Sequence, residues 1–154
     1  MSIEENIKKL NLLLPEAPDP VGSYVAAKIA GNLLYISGQV SIDEKGKFIK
    51  GKLGKNIDVD KGYKAAERCA INIIAQAKKA CGNDLSKIKS CVKLTGYVNS
   101  SEDFIDQPKV INGCSDLLIE YFGEKGKHAR SAVGVYVLPN NIPVEIEAII
   151  EIKT

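Results

Sequence analysis

Only one histidine, His128, and no tryptophan occur in this 154-residue chain. Its four cysteines, Cys69, Cys81, Cys91 and Cys114, form no CxxC pair. Zinc centres draw on His and Cys at close spacing, so this supply speaks against a metal site. The thiols fall inside apolar patterns and read as reduced, mostly buried side chains of a reducing compartment. An excess of either charge is also missing: 21 Lys and Arg against 19 Asp and Glu leave +2, with the signs interleaved. That is no footprint for nucleic acid, which asks for a clustered basic face. No apolar run approaches the roughly 20 residues of a membrane span. The opening MSIEENIKK places acids where a secretory leader needs a basic stretch before an apolar one, so a cytoplasmic protein is expected.

What is present describes one domain over residues 1–154, long enough to bury a core without staples. Ser2 and Glu5 make a capping-box pattern, and Ile3, Ile7, Leu10 and Leu14 recur at helical spacing as far as Pro15. This predicts an amphipathic helix of about three turns within residues 1–14, covering the core. PEAPDPVGSY is a stiff extended connector. A strand is expected from Tyr24 to Ile29, a tight turn at Gly31-Asn32, and a second strand from Leu33 to Val40. Ser37-Gly38-Gln39 inside that strand points to a β-bulge.

Residues 43–55 are polar and rich in Lys and Gly. They hold a near miss of a phosphate-binding loop, but Leu53 stands where Ser or Thr is required and no helix opens after it. The segment therefore reads as a solvated loop. Asp58 or Asp60 caps a helix running to Gly82, with Tyr63, Ala66, Ala70, Ile73, Ile74 and Ala77 along one face. Ile88 to Asn99 is a third long strand. Phe104 to Gly123 holds a second long helix, with Pro108 in its first turn and an apolar stripe from Val110 to Phe122.

The last stretch, HARSAVGVYVLPNNIPVEIEAIIEI, reads as two strands joined by a short turn into a hairpin. The first runs from Ala132 to Leu138. In the second, Val144 to Ile152, apolar residues alternate with Glu145, Glu147, Ile149 and Glu151. Arg130 stands at the mouth of this hairpin. A guanidinium fork matches the two oxygens of a small carboxylate, and a Glu on a rigid strand is a natural place to hold or activate a water. Taken alone, these residues fit an ordinary hairpin with solvated charges better than a site.

The element order, β-β-α-β-α-β-β after a short helix, gives an α+β sandwich with both long helices on one face of the sheet. The other face, if apolar, calls for a second subunit.

In this order, Ala-Arg-Ser, Val-Gly-Val, Leu-Pro and Val-Glu-Ile-Glu-Ala-Ile resemble the C-terminal signature of the RidA/YjgF family. VGSYV, GNLLYISGQV, the alanine-rich helix and VKLTGYVNSSEDF follow the family's order too, so the resemblance covers residues 21–154. It implies the chorismate-mutase-like fold with a mixed sheet, a homotrimer, and ligand sites in the clefts between subunits. It further implies metal-free and cofactor-free hydrolysis of reactive 2-imino or enamine acids to 2-keto acids and ammonia.

Residue by residue, Arg130 corresponds to the arginine that grips the substrate carboxylate, and Glu145 to the glutamate that positions or activates water. Tyr24 corresponds to the tyrosine closing the pocket, Ser37 and Gly38 to the turn lining it, and Asn112 to a pocket asparagine. Two features depart from the short members. Ala132 stands where imine deaminases usually carry cysteine, and the N-terminal helix and residues 105–109 are additions typical of a longer branch. The alternative activities are a non-catalytic keto-acid-binding module, which Ala132 favours, and a ribonuclease. The single His and the lack of a basic aromatic face oppose the latter.

Overall fold

The computed structural model describes all 154 residues. In chain order the elements are α1 (Ile3–Lys9), β1 (Ala27–Ala30), β2 (Leu33–Val40), α2 (Val59–Ala80), β3 (Ile88–Asn99), α3 (Gln107–Phe122), β4 (Ala129–Val135) and β5 (Val144–Ile152). The strands form one mixed sheet in the order β1-β2-β5-β3-β4, antiparallel except for β3 with β4. Both long helices cover one face of it. Leu34, Leu94, Val98, Ile146 and Ile150 point into that layer and are fully buried against α2 and α3. No helix is long and apolar enough to cross a membrane.

Local chemistry explains the helix ends. Ser2 and Glu5 exchange both capping-box hydrogen bonds, and Asp58, not Asp60, caps α2 by accepting from the Lys61 N–H at 2.9 Å. Gly82 takes a positive φ of 67° just beyond α2, as a helix stop requires. The apolar stripe of α3 is buried from Val110 to Phe122, and all four cysteines are buried free thiols. Glycine sets how closely the layers approach. A methyl group on Gly113 of α3 would collide with the Tyr63 carbonyl of α2, and one on Gly96 of β3 would collide with Ile111.

Four expectations are corrected. α1 ends at Lys9, because Asn11 turns left-handed at φ 55° and carries Leu12–Leu14 out of the helix. The first strand begins at Ala27 instead of Tyr24: β1 pairs with β2 only from Ala27↔Ile36 onward. The loop of residues 43–55 is not wholly solvated. Leu53 has no exposed surface and joins the core, and its amide donates to the Asn99 carbonyl at 2.8 Å.

The largest correction concerns the C-terminal pair, which is no hairpin. β4 ends at Val135 and pairs in parallel with β3, while β5 lies between β2 and β3. The linker between them carries two successive left-handed residues, Asn140 and Asn141, and passes over the end of β3. There Asn99 ties it down, its side-chain amide reaching the Ile142 carbonyl and its backbone N–H donating to the Pro143 carbonyl. Central placement suits a strand with five inward apolar positions, which burial on one edge would leave half exposed.

Replacing Gly113 by Ala is expected to lower stability by about 1–3 kcal/mol, because a methyl group must separate α2 from α3. Urea denaturation checks this; an unchanged midpoint would show that the helices part freely.

Candidate functional site

Two groups of side chains emerge, one on each face of the sheet. The first is on the face that the helices leave open. The register shift between Ile36 and Gln39 is the bulge expected at Ser37-Gly38. It serves two contacts. The Ser37 hydroxyl donates to the Val25 carbonyl at 2.7 Å, fixing the segment that carries Tyr24. Gly38 makes room for Glu145, since a Cβ at that position would stand 2.9 Å from the Glu145 carboxyl carbon. A depression of about 640 Å³ lies beside them, lined by Tyr24, Lys28, Tyr35, Ser37, Lys93 and Glu147 among others.

Glu145 is half-buried. Loss of water around it, and then repulsion from Glu147, hold its carboxyl above the ordinary value of 4.5. Tyr97 donates to Glu147 at 3.3 Å. A carboxyl raised in this way exchanges protons with water more readily near neutral pH than a solvated glutamate does.

The second group stands at the β4 edge on the helix side. Arg130 pairs with Leu94 of β3, a core residue, and its guanidinium turns toward α3. One Nη–H donates to the Ser115 hydroxyl at 3.1 Å and the other Nη–H to the Pro108 carbonyl at 3.1 Å. Both acceptors are neutral, and none of the five ion pairs in the chain includes Arg130. Asn112, Ser115, Asp116, Lys127 and His128 surround it in a depression of about 490 Å³. Asp116 is engaged elsewhere. It accepts from Tyr63 at 2.9 Å, and that contact pushes the Tyr63 hydroxyl up to about 12.

Within one chain the two groups do not meet. Glu145 and Tyr97 are register partners on the open face, whereas Arg130 and Leu94 are register partners on the helix face. Gly38 therefore stands against Glu145, Tyr24 and Ser37 line the neighbouring depression on the same face, and Asn112 and Arg130 share a separate depression. No cluster of three metal-ligating side chains occurs in the chain.

Sequence reading passed over Ser115 and His128. Their spacing carried the signal: Ser115 follows Asn112 by three on a helix, and His128 precedes Arg130 by two at the start of a strand.

A family model described as "YjgF/chorismate_mutase-like, putative endoribonuclease" matches residues 4–151. Protein TCP17 of Trypanosoma cruzi is 40% identical over 98% of this chain and 94% of its own length. The crystal structure of Atu1372 from Agrobacterium tumefaciens, a protein of unknown function, superposes with a TM-score of 0.90. It is 46% identical and the match covers 98% of this chain and 92% of that one. A 2-iminobutanoate/2-iminopropanoate deaminase of Dermatophagoides farinae is 31% identical over 90% of this chain and 93% of its own length.

The raised Glu145 carboxyl has a consequence for stability. A group whose folded value exceeds its unfolded one favours folding while protonated, and that benefit is lost as pH rises through the folded value. Glu145→Gln, which removes the charge and keeps the shape, should therefore raise Tm at neutral pH. The gain should fade as pH falls through the raised folded value and be gone below 4.5. A gain that persists in acid would trace the effect to something other than charge.

Proposed function

The chain belongs to the YjgF/chorismate mutase-like family, and from that premise we propose that it hydrolyses small reactive 2-imino acids to 2-keto acids and ammonia. The observation that carries this reading is Arg130, a half-buried guanidinium held by two neutral acceptors and paired with no carboxylate of its own chain. Of its five N–H donors, two are engaged and three remain for a ligand. A planar fork fits a carboxylate in two-point contact and fixes the carbon next to it.

Glu145 is the second element. Its raised carboxyl takes a proton from water attacking the C=N carbon and returns one to the departing nitrogen. Atoms balance with one water consumed per ammonia released. Tyr24 closes over the substrate, Ser37 and Gly38 line its bed, and Asn112 flanks the carboxylate grip. The reaction as proposed asks for no cofactor. Support also comes from the deaminase relative described above.

Because Arg130 and Glu145 face opposite sides of one sheet, the proposed site lies between subunits. Arg130 of one copy approaches the open face of another, as in a homotrimer with three clefts. That face mixes Tyr35, Tyr97, Ile149 and Val133 with charged residues, the composition of a surface suited to both packing and ligand binding.

A second reading, carboxylate binding without turnover, is favoured by Ala132. It packs partly buried against the core and offers no thiol beside Arg130.

The test couples the protein to a serine or threonine dehydratase that generates the imine, and follows imine lifetime. Wild-type protein is expected to shorten it, and Arg130→Ala to lose at least about a hundredfold in rate, the scale of removing one partner of a desolvated charge pair. An Arg130→Ala protein that folds and works near the wild-type rate would contradict the proposal. A folded wild type that binds pyruvate but leaves the imine untouched would favour the binding module.

A further inference from the structure

Ser115 and His128 belong to no role assigned so far, and their geometry is more specific than a packed core needs. His128 Nδ1 lies 2.6 Å from the Gly126 carbonyl oxygen, and Nε2 lies 2.8 Å from the Ser115 hydroxyl. A carbonyl oxygen only accepts, so Nδ1 carries the ring proton. In the neutral ring Nε2 is then an acceptor, and the Ser115 hydroxyl donates to it. The same hydroxyl oxygen accepts the Nη1–H of Arg130 at 3.1 Å. Every hydrogen bond in the row therefore has one polarity: Arg130 donates to Ser115, Ser115 to His128, and His128 to Gly126.

Both ends of the row are fixed. Gly126 is buried against the end of α3, so close that a side chain there would strike the Leu118 carbonyl. At the other end the second Nη of Arg130 is held by the Pro108 carbonyl in the first turn of α3. Ser115 itself is only 8% exposed. A serine inside a helix ordinarily returns its hydroxyl to the carbonyl one turn back, whereas this one points away from its own helix to bridge the histidine and the arginine.

We propose that Ser115 and His128 are positioning residues, a one-way hydrogen-bond relay that locks the Arg130 guanidinium so that its free donors face an incoming 2-keto or 2-imino carboxylate. The inference rests on the proposed carboxylate grip of Arg130 and adds to it the device that holds the grip still. Its benefit is preorganisation. A long arginine side chain that is already immobilised loses little freedom when ligand arrives, and the bound carboxylate inherits the orientation of the fork. The relay also links the ligand to the sole histidine of the chain, three bonded groups away.

Because His128 is the only histidine, ¹⁵N-histidine labelling of the full-length protein yields one ring to read. The wild-type ring should show the Nδ1–H tautomer. Adding pyruvate should shift its Nε2 signal in wild type and leave it in place in Ser115→Ala. Pyruvate affinity by calorimetry should fall about tenfold in Ser115→Ala and in His128→Gln, the scale of one arginine side chain regaining its freedom. The double variant should lose no more than either single one, because both break the same row.

Melting curves identify any variant that fails to fold, and His128→Gln, whose single terminal amide cannot span both Gly126 and Ser115 as the two ring nitrogens do, serves if Ser115→Ala does so. An Nε2–H tautomer would overturn the relay, as would single variants that bind pyruvate like wild type or losses that multiply in the double variant. Wild-type protein that ignores pyruvate would overturn the carboxylate grip and the relay together, whereas failure confined to the variants would overturn the relay alone.

Discussion

β5 pairs on both sides, with β2 and with β3, and its nine residues alternate without interruption between core and open face. The alternation leaves no freedom of register: a slip of one residue would turn Val144, Ile146, Ala148, Ile150 and Ile152 outward and three glutamates into the core. Burying those apolar residues against α2 and α3 therefore fixes Glu145 and Glu147 on the opposite face. Through β3 the same pleat reaches β4 and decides where Arg130 points. The separation of arginine from glutamate is thus a consequence of core packing.

Much of this was legible in the amino-acid sequence wherever a local rule and a burial rule agreed. The strand Ile88–Asn99, the strand Leu33–Val40 with its bulge, the stripe of α3 and the alternation of β5 all follow from period and turn chemistry. Pairing partners were harder. Two apolar runs with a Pro- and Asn-containing linker look like a hairpin, but a linker of that composition serves equally well to carry the chain over a neighbouring strand. Here Asn99 holds the linker over β3 through hydrogen bonds that are invisible until β3 is placed. Leu53 was hidden for a similar reason. A polar, glycine-rich loop can still send one leucine into the core.

The candidate site residues come from the family resemblance, and their arrangement comes from the fold. Tyr24, Ser37, Gly38, Glu145, Asn112 and Arg130 were singled out together, and the fold divides them between two faces. Ser115 and His128 were not singled out, because a helical serine and a lone histidine are commonplace until both are seen within reach of one arginine. Their surroundings also suit charge. Neutral acceptors hold Arg130 without neutralising it, while desolvation and Glu147 keep Glu145 ready to carry a proton. One half of the proposed site attracts an anion and the other handles protons.

The division of the proposed site between two subunits is tested most directly by complementation. Arg130→Ala and Glu145→Gln chains, each inactive alone, would be unfolded together, refolded as a mixture and assayed for imine hydrolysis. Random assembly should place an intact Arg130 opposite an intact Glu145 in one cleft of four, restoring about a quarter of the wild-type rate. No recovery, in mixtures shown by native mass spectrometry to contain both chains in one oligomer, would contradict a site shared between subunits.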